Sequence, residues 1–343
     1  MIEANLLVRG GRLLEQRLPV GWKQKTSSLR GSRQQADAVL QLVSPDGVEA
    51  VLPVKARTRL FPRDVPELQR RVVSADGRPG MIMTEFLTPS TKLRLAEAGL
   101  NYLDLTGNIR LSVSRPGLFI ETEGAAADPN PPEKVGRSLR GPKAGRVVRA
   151  LCDFPLPLAV SDLAMKAGVD ISYASRLVDW LAREDLVTRA SRGPVEGIDR
   201  ARMIRRWADD YSVLKSNTAG SFLDPRGIGN LLRRLPTSRS RYAVTGSLAA
   251  NRLAPVAPPR LAMVYVEDPD SVASELGLTS TDTGANVMLL VPFDEVVFDR
   301  TRTDEGVSYV APSQTAVDLL TSPGRSPAEG EAVLEWMARN PAA

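Results

Sequence analysis

Hydrophobic and polar residues follow several distinct rhythms along the chain, and each rhythm predicts an element. Two β-rich runs, Ala38 to Val43 and Val48 to Val54, flank Ser44-Pro45-Asp46-Gly47. Asp-Gly between such runs predicts a hairpin. From Pro62 to Ser74 the spacing becomes helical, with Val65, Leu68 and Val72 on one face. Gly80 to Glu85 is a short apolar run and reads as a buried strand. Ser90 to Ala98 reads as a helix with Leu93 and Ala96 facing inward, stopped by Gly99. Tyr102 to Leu105 and Ile109 to Val113 predict two strands around Thr106-Gly107-Asn108.

The C-terminal part shows the same mixture. Arg241 to Thr245, Leu261 to Val266, Asn286 to Val291 and Glu295 to Asp299 read as strands. Ser313 to Leu320 and Ala328 to Arg339 read as helices, the last with Val333, Leu334 and Met337 on its apolar face.

The middle of the chain carries the most informative pattern. Lys143 to Asp153 predicts a helix with Val147, Val148 and Leu151 inward. Val160 to Lys166 predicts a second, capped at Ser161 or its neighbour. Ala164 and Gly168-Val169 then give the small-residue and glycine spacing of a helix-turn-helix. A third helix, capped by Ser172, places Ala174, Leu177, Val178 and Leu181 at i, i+3, i+4 and i+7. Its opposite face carries Tyr173, Arg176, Asp179 and Arg183. Asp185-Leu186-Val187 and Val195 to Ile198 flank a basic tip with Arg189, Arg192, Gly193 and Pro194. Three helices followed by such a hairpin predict a winged helix-turn-helix. In that fold the third helix enters the major groove. Ser172, Tyr173, Ser175 and Arg176 are the groove-facing candidates. Arg189 and Arg192 at the wing, with Lys143 and Arg146 on the first helix, are the candidate phosphate contacts.

A proline-rich break at 124–142 separates the first segment from this one, and a softer break lies near Lys215 to Gly220. The expected organisation is α/β and multidomain: a nuclease-like α/β domain at 1–123, a linker at 124–142, a winged helix at 143–214 and a mixed α/β domain at 215–343. The length of 343 residues suits two or three domains.

Composition narrows the chemistry. The chain has no histidine and a single cysteine, Cys152. Histidine bases, histidine metal ligands, an internal disulfide and cysteine-rich zinc sites are thereby excluded. Carboxylates, lysine, serine and a hard cation such as magnesium remain. Cys152 stands among Val148, Leu151 and Phe154, as a buried small hydrophobe would. Net charge is +5, but residues 134–206 hold 15 basic against 8 acidic residues, leaving the rest at −2. A surplus confined to the predicted winged helix suits a phosphate backbone.

The first segment has the outline of a PD-(D/E)xK nuclease, which holds magnesium with an acid on one strand and an acid-x-lysine on the next. Asp37 and Lys55 fit, but Pro53 stands where the second acid belongs and Glu49 is too early to replace it. The segment is expected to be inactive, Asp37 and Lys55 to form an ion pair, and Pro53 to mark a strand edge or end. Arg57, Arg59 and Arg63 would then serve a scaffold. Thr245-Gly246-Ser247 is similar to the Gly-Ser loop of nucleotidyltransferases, but Leu261 to Val266 lacks the paired acids that such an enzyme needs. A tight strand-helix turn accounts for it. No cofactor is expected.

No apolar run is long enough to span a membrane, since Val287 to Phe293 is strand-sized and broken by Pro292. Met1 to Arg9 lacks the apolar core of a secretory signal, so a cytoplasmic location is expected.

Gly99 to Asn108, the 143–200 pattern, Tyr242 to Ala250, and Gln314 to Leu320 with Gly324-Arg325 together resemble the AbiEi-like family. These are bacterial winged-helix regulators on the antitoxin side of type IV toxin–antitoxin systems. The resemblance implies DNA-binding transcriptional repression, double-stranded DNA as partner, and a homodimer and a cognate toxin as further partners. The chain departs from the family in placing a nuclease-like segment before the winged helix. The alternatives are an antitoxin acting by protein contact and a magnesium-dependent nuclease or nucleotidyltransferase.

Overall fold

The computed structural model describes residues 2–29, 36–73, 77–130, 138–190 and 193–341. The chain divides into two compact units, 1–134 with 183–185, and 135–182 with 186–343. Both are mixed α/β, each built on a seven-stranded mixed sheet.

In the first unit, α1 (Ile2–Glu15) precedes a meander of β1 (Lys23–Ser28), β2 (Ala38–Val43) and β3 (Glu49–Arg57). The β2–β3 turn forms as its sequence predicts: Ser44 N donates to Val48 O at 3.0 Å, and Gly47 takes a φ of 83°. Then α2 (Val65–Arg71) leads to β4 (Met81–Thr84), and α3 (Pro89–Glu97) to β5 (Asn101–Asp104). These crossovers set β3, β4 and β5 parallel, whereas β6 (Ile109–Val113) and β7 (Leu118–Thr122) return antiparallel. The strands lie in sequence order from β1 to β7.

Alternation along β3 sends Ala50, Leu52, Val54 and Ala56 into a core with Leu6, Leu7 and Leu14 of α1. Ile82 faces the other way, into a second cluster with Val65, Leu68 and Leu95. Leu95, not Leu93, is the inward residue of α3. Leu93 is 61% exposed, and the buried pair is Thr91 and Leu95 at i, i+4. Pro53 also departs from expectation, because β3 is interior and pairs with both β2 and β4. The strand tolerates it for a local reason. Val54 turns its carbonyl to Asp37 N on the β2 side at 2.8 Å, so alternation turns Pro53 toward β4. The β4 ladder begins only at Val54↔Met81, one residue later. The missing N–H therefore removes no ladder bond.

The second unit opens with α4 (Pro142–Asp153), α5 (Val160–Lys166), α6 (Ile171–Arg183), β8 (Val187–Arg189) and β9 (Val195–Ile198). It continues through α7 (Arg200–Ala208), α8 (Val213–Ser216), β10 (Thr218–Leu223), α9 (Ile228–Arg234), β11 (Tyr242–Thr245) and α10 (Gly246–Asn251). It ends with β12 (Ala262–Val266), α11 (Pro269–Leu276), β13 (Thr279–Ser280), β14 (Val287–Val291), β15 (Arg302–Asp304), β16 (Val307–Tyr309), α12 (Pro312–Leu320) and α13 (Ser326–Arg339). The large sheet has the order β13-β10-β14-β12-β11-β16-β15, while β8 and β9 form a separate hairpin. Lys215 to Gly220, the softer break, is built into α8 and β10, with Asn217 buried.

Glu295 to Asp299 is not a strand. Asp294 accepts a hydrogen bond from Val296 N at 2.9 Å and caps a 3-10 turn over Glu295–Phe298. The apolar face of α13 is as predicted, with Val333, Leu334 and Met337 buried. One core cluster joins Val147, Leu151, Leu177 and Trp207 to Tyr265, Leu290, Val317 and Val333. Cys152 lies inside it, and burial pushes its thiol far above the ordinary range. Among the described residues, no helix is long and apolar enough to cross a membrane.

Candidate nucleic-acid interface

The segment around α6 is assembled from its turns outward. Gly168 at φ 58° lets the chain leave α5, with Val169 N bonded back to Ala164 O at 3.0 Å. Neither predicted cap forms. Ala159 precedes α5 and offers no side-chain bond, its carbonyl accepting from Leu163 N. α6 begins two residues earlier than expected, with Ala174 N donating to Asp170 O at 3.0 Å, so Asp170 takes the cap position and Ser172 is the second residue of the helix. Ala174, Leu177, Val178, Trp180 and Leu181 bury the inner face. β8 and β9 pair antiparallel through Val187↔Ile198 and Thr188↔Gly197. Arg189 also pairs with Val195, and Leu158, between α4 and α5, bridges to the other side of Val195 through two backbone hydrogen bonds of 2.8 and 2.9 Å.

The outer face of α6 carries Ser172, Ser175, Arg176 and Asp179. Ser172 and Arg176 are exposed, Ser175 is half-buried, and Tyr173 is half-buried against the core. Burial raises the Tyr173 phenol above its ordinary pKa, with the Arg176 charge opposing. Arg176 makes no hydrogen bond or ion pair with any described residue. Ile171, which sequence reasoning passed over, heads this face at 57% exposure. Its spacing gave no signal, because Ile171 lies three residues before Ala174 and seven before Val178, in phase with the buried stripe, and it is exposed at the first turn.

Two of the other cationic candidates, Arg146 and Arg189, are engaged with carboxylates. Arg146 Nε donates to both carboxylate oxygens of the buried Asp294 at 3.1 and 2.9 Å. The Arg189 side chain is only 9% exposed, and its Nη1 lies 3.2 Å from Asp179 Oδ1 on α6. Lys143 stays exposed, 3.6 Å from Asp170. Arg192 lies outside the described residues. Arg149, Arg205 and Arg206 pair with Asp153, Glu331 and Asp210. Of these partners, Asp210, Asp294 and Glu331 lie outside 134–206 and offset three of its seven surplus charges, while Arg176 stays exposed on the α6 face.

The two other sites weighed in the sequence have local explanations. Lys55 Nζ meets Asp37 Oδ1 at 2.6 Å, and Ala56 N donates to Asp37 Oδ2 at 2.8 Å. Thr245-Gly246-Ser247 is the turn from β11 into α10. Behind it lies a network absent from the sequence reading. Asp318, fully buried, accepts hydrogen bonds from Thr245 Oγ1 at 2.6 Å, Gln314 Nε2 at 2.8 Å, Tyr211 OH at 2.9 Å and Tyr265 OH at 3.0 Å. Burial raises its pKa to about 6, against the lowering effect of these four donors. Among the described residues, no group of three or more acidic or cysteine side chains could hold a metal ion.

Comparison with known proteins gives no match: no family model, no curated protein and no solved structure matches the chain.

Proposed function

We propose that the chain is a sequence-specific DNA-binding transcriptional regulator, a repressor, that reads the major groove of double-stranded DNA through α6. On this reading α4 to β9 is a winged helix-turn-helix, α6 is its recognition helix and the β8–β9 hairpin its wing. One observation carries the proposal. The face of α6 opposite the core presents an uncommitted arginine between hydroxyls, on a helix braced by a glycine turn and a three-way bridge. Arginine pairs bidentately with guanine O6 and N7, and serine bonds phosphate or base edges. The motif resemblance to AbiEi-like regulators supports the same reading.

The proposal assigns no catalytic step to the first unit. Lys55 and Ala56 N occupy the two oxygens of Asp37, and Pro53 supplies no second acid. The first unit is then a degenerate nuclease-like scaffold.

The test is Arg176→Ala, with duplexes selected from a random pool by the intact protein and titrated in gel shifts. The expected outcome is retained folding and a loss of about 1–3 kcal/mol of discrimination at one base pair. Equal affinity and equal specificity of variant and wild type would refute the assignment of α6.

A further inference from the structure

We propose that Ile171 reads a thymine, its side chain packing on the 5-methyl group in the major groove beside the base contacted by Arg176. This inference rests on the assignment of α6 as recognition helix and names what part of the target it prefers.

The large hydrophobic residues of the α4–β9 segment divide sharply. Leu163, Leu177, Val178, Trp180 and Leu181 are buried, whereas Met165 on α5 is 71% exposed and Ile171 on α6 is 57% exposed. Single exposed aliphatic residues are common on protein surfaces and need no partner. Position distinguishes this one. Ile171 is the first residue of α6, one turn before Ser175, and its exposure places it at the N-terminal rim of the outward face. That end of a recognition helix is the part that approaches base edges. The thymine methyl is the apolar feature of the major-groove edge, and aliphatic side chains recognise it by contact.

Charge around the stripe favours a polyanion as the occupant. The nearest acid before the helix, Asp170, lies 3.6 Å from Lys143. The acid further along the stripe, Asp179, is held by Arg189 at 3.2 Å. Both carboxylates are thus countered by a cation from a neighbouring element, and Arg176 adds an unmatched positive charge. An apolar knob in this setting suits a groove walled by phosphates. A protein partner seated on Ile171 is the competing occupant that the experiment must expose.

The experiment uses the full chain and a duplex selected from a random pool. Each thymine of that duplex is replaced in turn by deoxyuridine, which removes only the methyl group. Wild type and Ile171→Ala are titrated on every duplex. At one thymine, the replacement is expected to weaken wild-type binding about fourfold, the equivalent of one buried methyl-sized group. Ile171→Ala should bind the thymine duplex correspondingly less well and be indifferent to the replacement at that position. The inference is overturned if no position is sensitive to uracil, if the sensitivity persists in Ile171→Ala, or if the selected site has no thymine. If the wild type selects no sequence and binds all duplexes alike, the recognition-helix assignment itself fails and takes this inference with it. The side chain is exposed, so the variant keeps the core and its folding is checked by circular dichroism.

Discussion

Asp318 is a carboxylate with no cation among its four hydrogen-bonding partners, and its titration should be visible in the stability of the protein. Its pKa in the folded chain is raised to about 6, above the ordinary 3.8, because burial penalises the charged form more than the hydrogen bonds favour it. The folded state therefore holds this proton more tightly than the unfolded state. The contribution is fully present below pH 3.8 and is lost as pH rises through about 6. A shift of this size corresponds to about 3 kcal/mol. Asp318→Asn removes the titration. Urea unfolding of wild type and variant from pH 4 to pH 7.5 should give a stability difference that moves in favour of the variant as pH rises. A difference that stays constant with pH would show that Asp318 does not titrate in this window. The Tyr211 and Tyr265 phenols, raised well above their usual values by burial and by the Asp318 charge, remain neutral donors throughout. None of this was legible in the sequence. Gln314 and Asp318 are one turn apart on α12, but Tyr211, Thr245 and Tyr265 come from distant segments, and no local spacing announces that they converge on that pair.

At the level of elements, α6 and the β8–β9 hairpin are joined by Arg189 and Asp179, and that junction changes what Arg189 does. As a wing-tip phosphate contact, its loss would lower the salt slope of DNA binding by about one unit. With its side chain mostly covered and its guanidinium on Asp179, Arg189→Ala instead exposes an uncompensated carboxylate on the α6 face. Binding should weaken with the salt slope reduced by much less than one, and Asp179→Asn in the same chain should restore it. Titrations over a range of salt concentrations decide between the two roles. A full unit lost, with no rescue by Asp179→Asn, would return Arg189 to phosphate. The helix stripe of α6 was legible because its buried residues are all apolar and recur with the helical period. The phase of α3 was not, because its buried stripe uses Thr91, a polar residue, while Leu93 projects into solvent. The Glu295–Phe298 turn has the β-branched composition of a strand, but Asp294 caps it as a 3-10 helix, and Arg146 holds the same carboxylate. Strand β1 escaped notice because Lys23 to Ser28 contains no aliphatic residue, and its place beside β2 is set by the pairing partner.

At the scale of the whole molecule, the second unit is bound together more tightly than its sequence segments suggest. The proline-rich stretch at 124–142 marks a break in composition, but no comparable break isolates α4–β9 from the large sheet that follows. α7 packs against both α12 and α13, and α4 against α12. Trp207 stacks toward Tyr211 at 5.3 Å between ring centroids, and Tyr211 toward Phe293 at 5.8 Å, which leads from α7 to the segment after β14. Arg149, itself buried, donates to the carbonyls of Val296 and Asp299 and so ties α4 to the same segment. Helices α4 to α6, which share their core in this way, should unfold together with the sheet. Met203 on α7, fully buried in that shared cluster, is the place to ask. Met203→Ala should cost about 2–5 kcal/mol through lost contacts and the cavity left behind. Two full-length backgrounds that keep the buried Trp207 report the result, one with Trp180 on α6 as its other tryptophan and one with Trp336 on α13. In each background, tryptophan fluorescence and far-UV circular dichroism should give one coincident midpoint in denaturant, and the substitution should lower it in both backgrounds. If only the Trp180 transition moves, the helices unfold on their own and the shared core does not couple them. Coincident shifts would mean that any ligand or partner stabilising the large sheet also stabilises the helix proposed to read DNA, because both draw on one folding equilibrium.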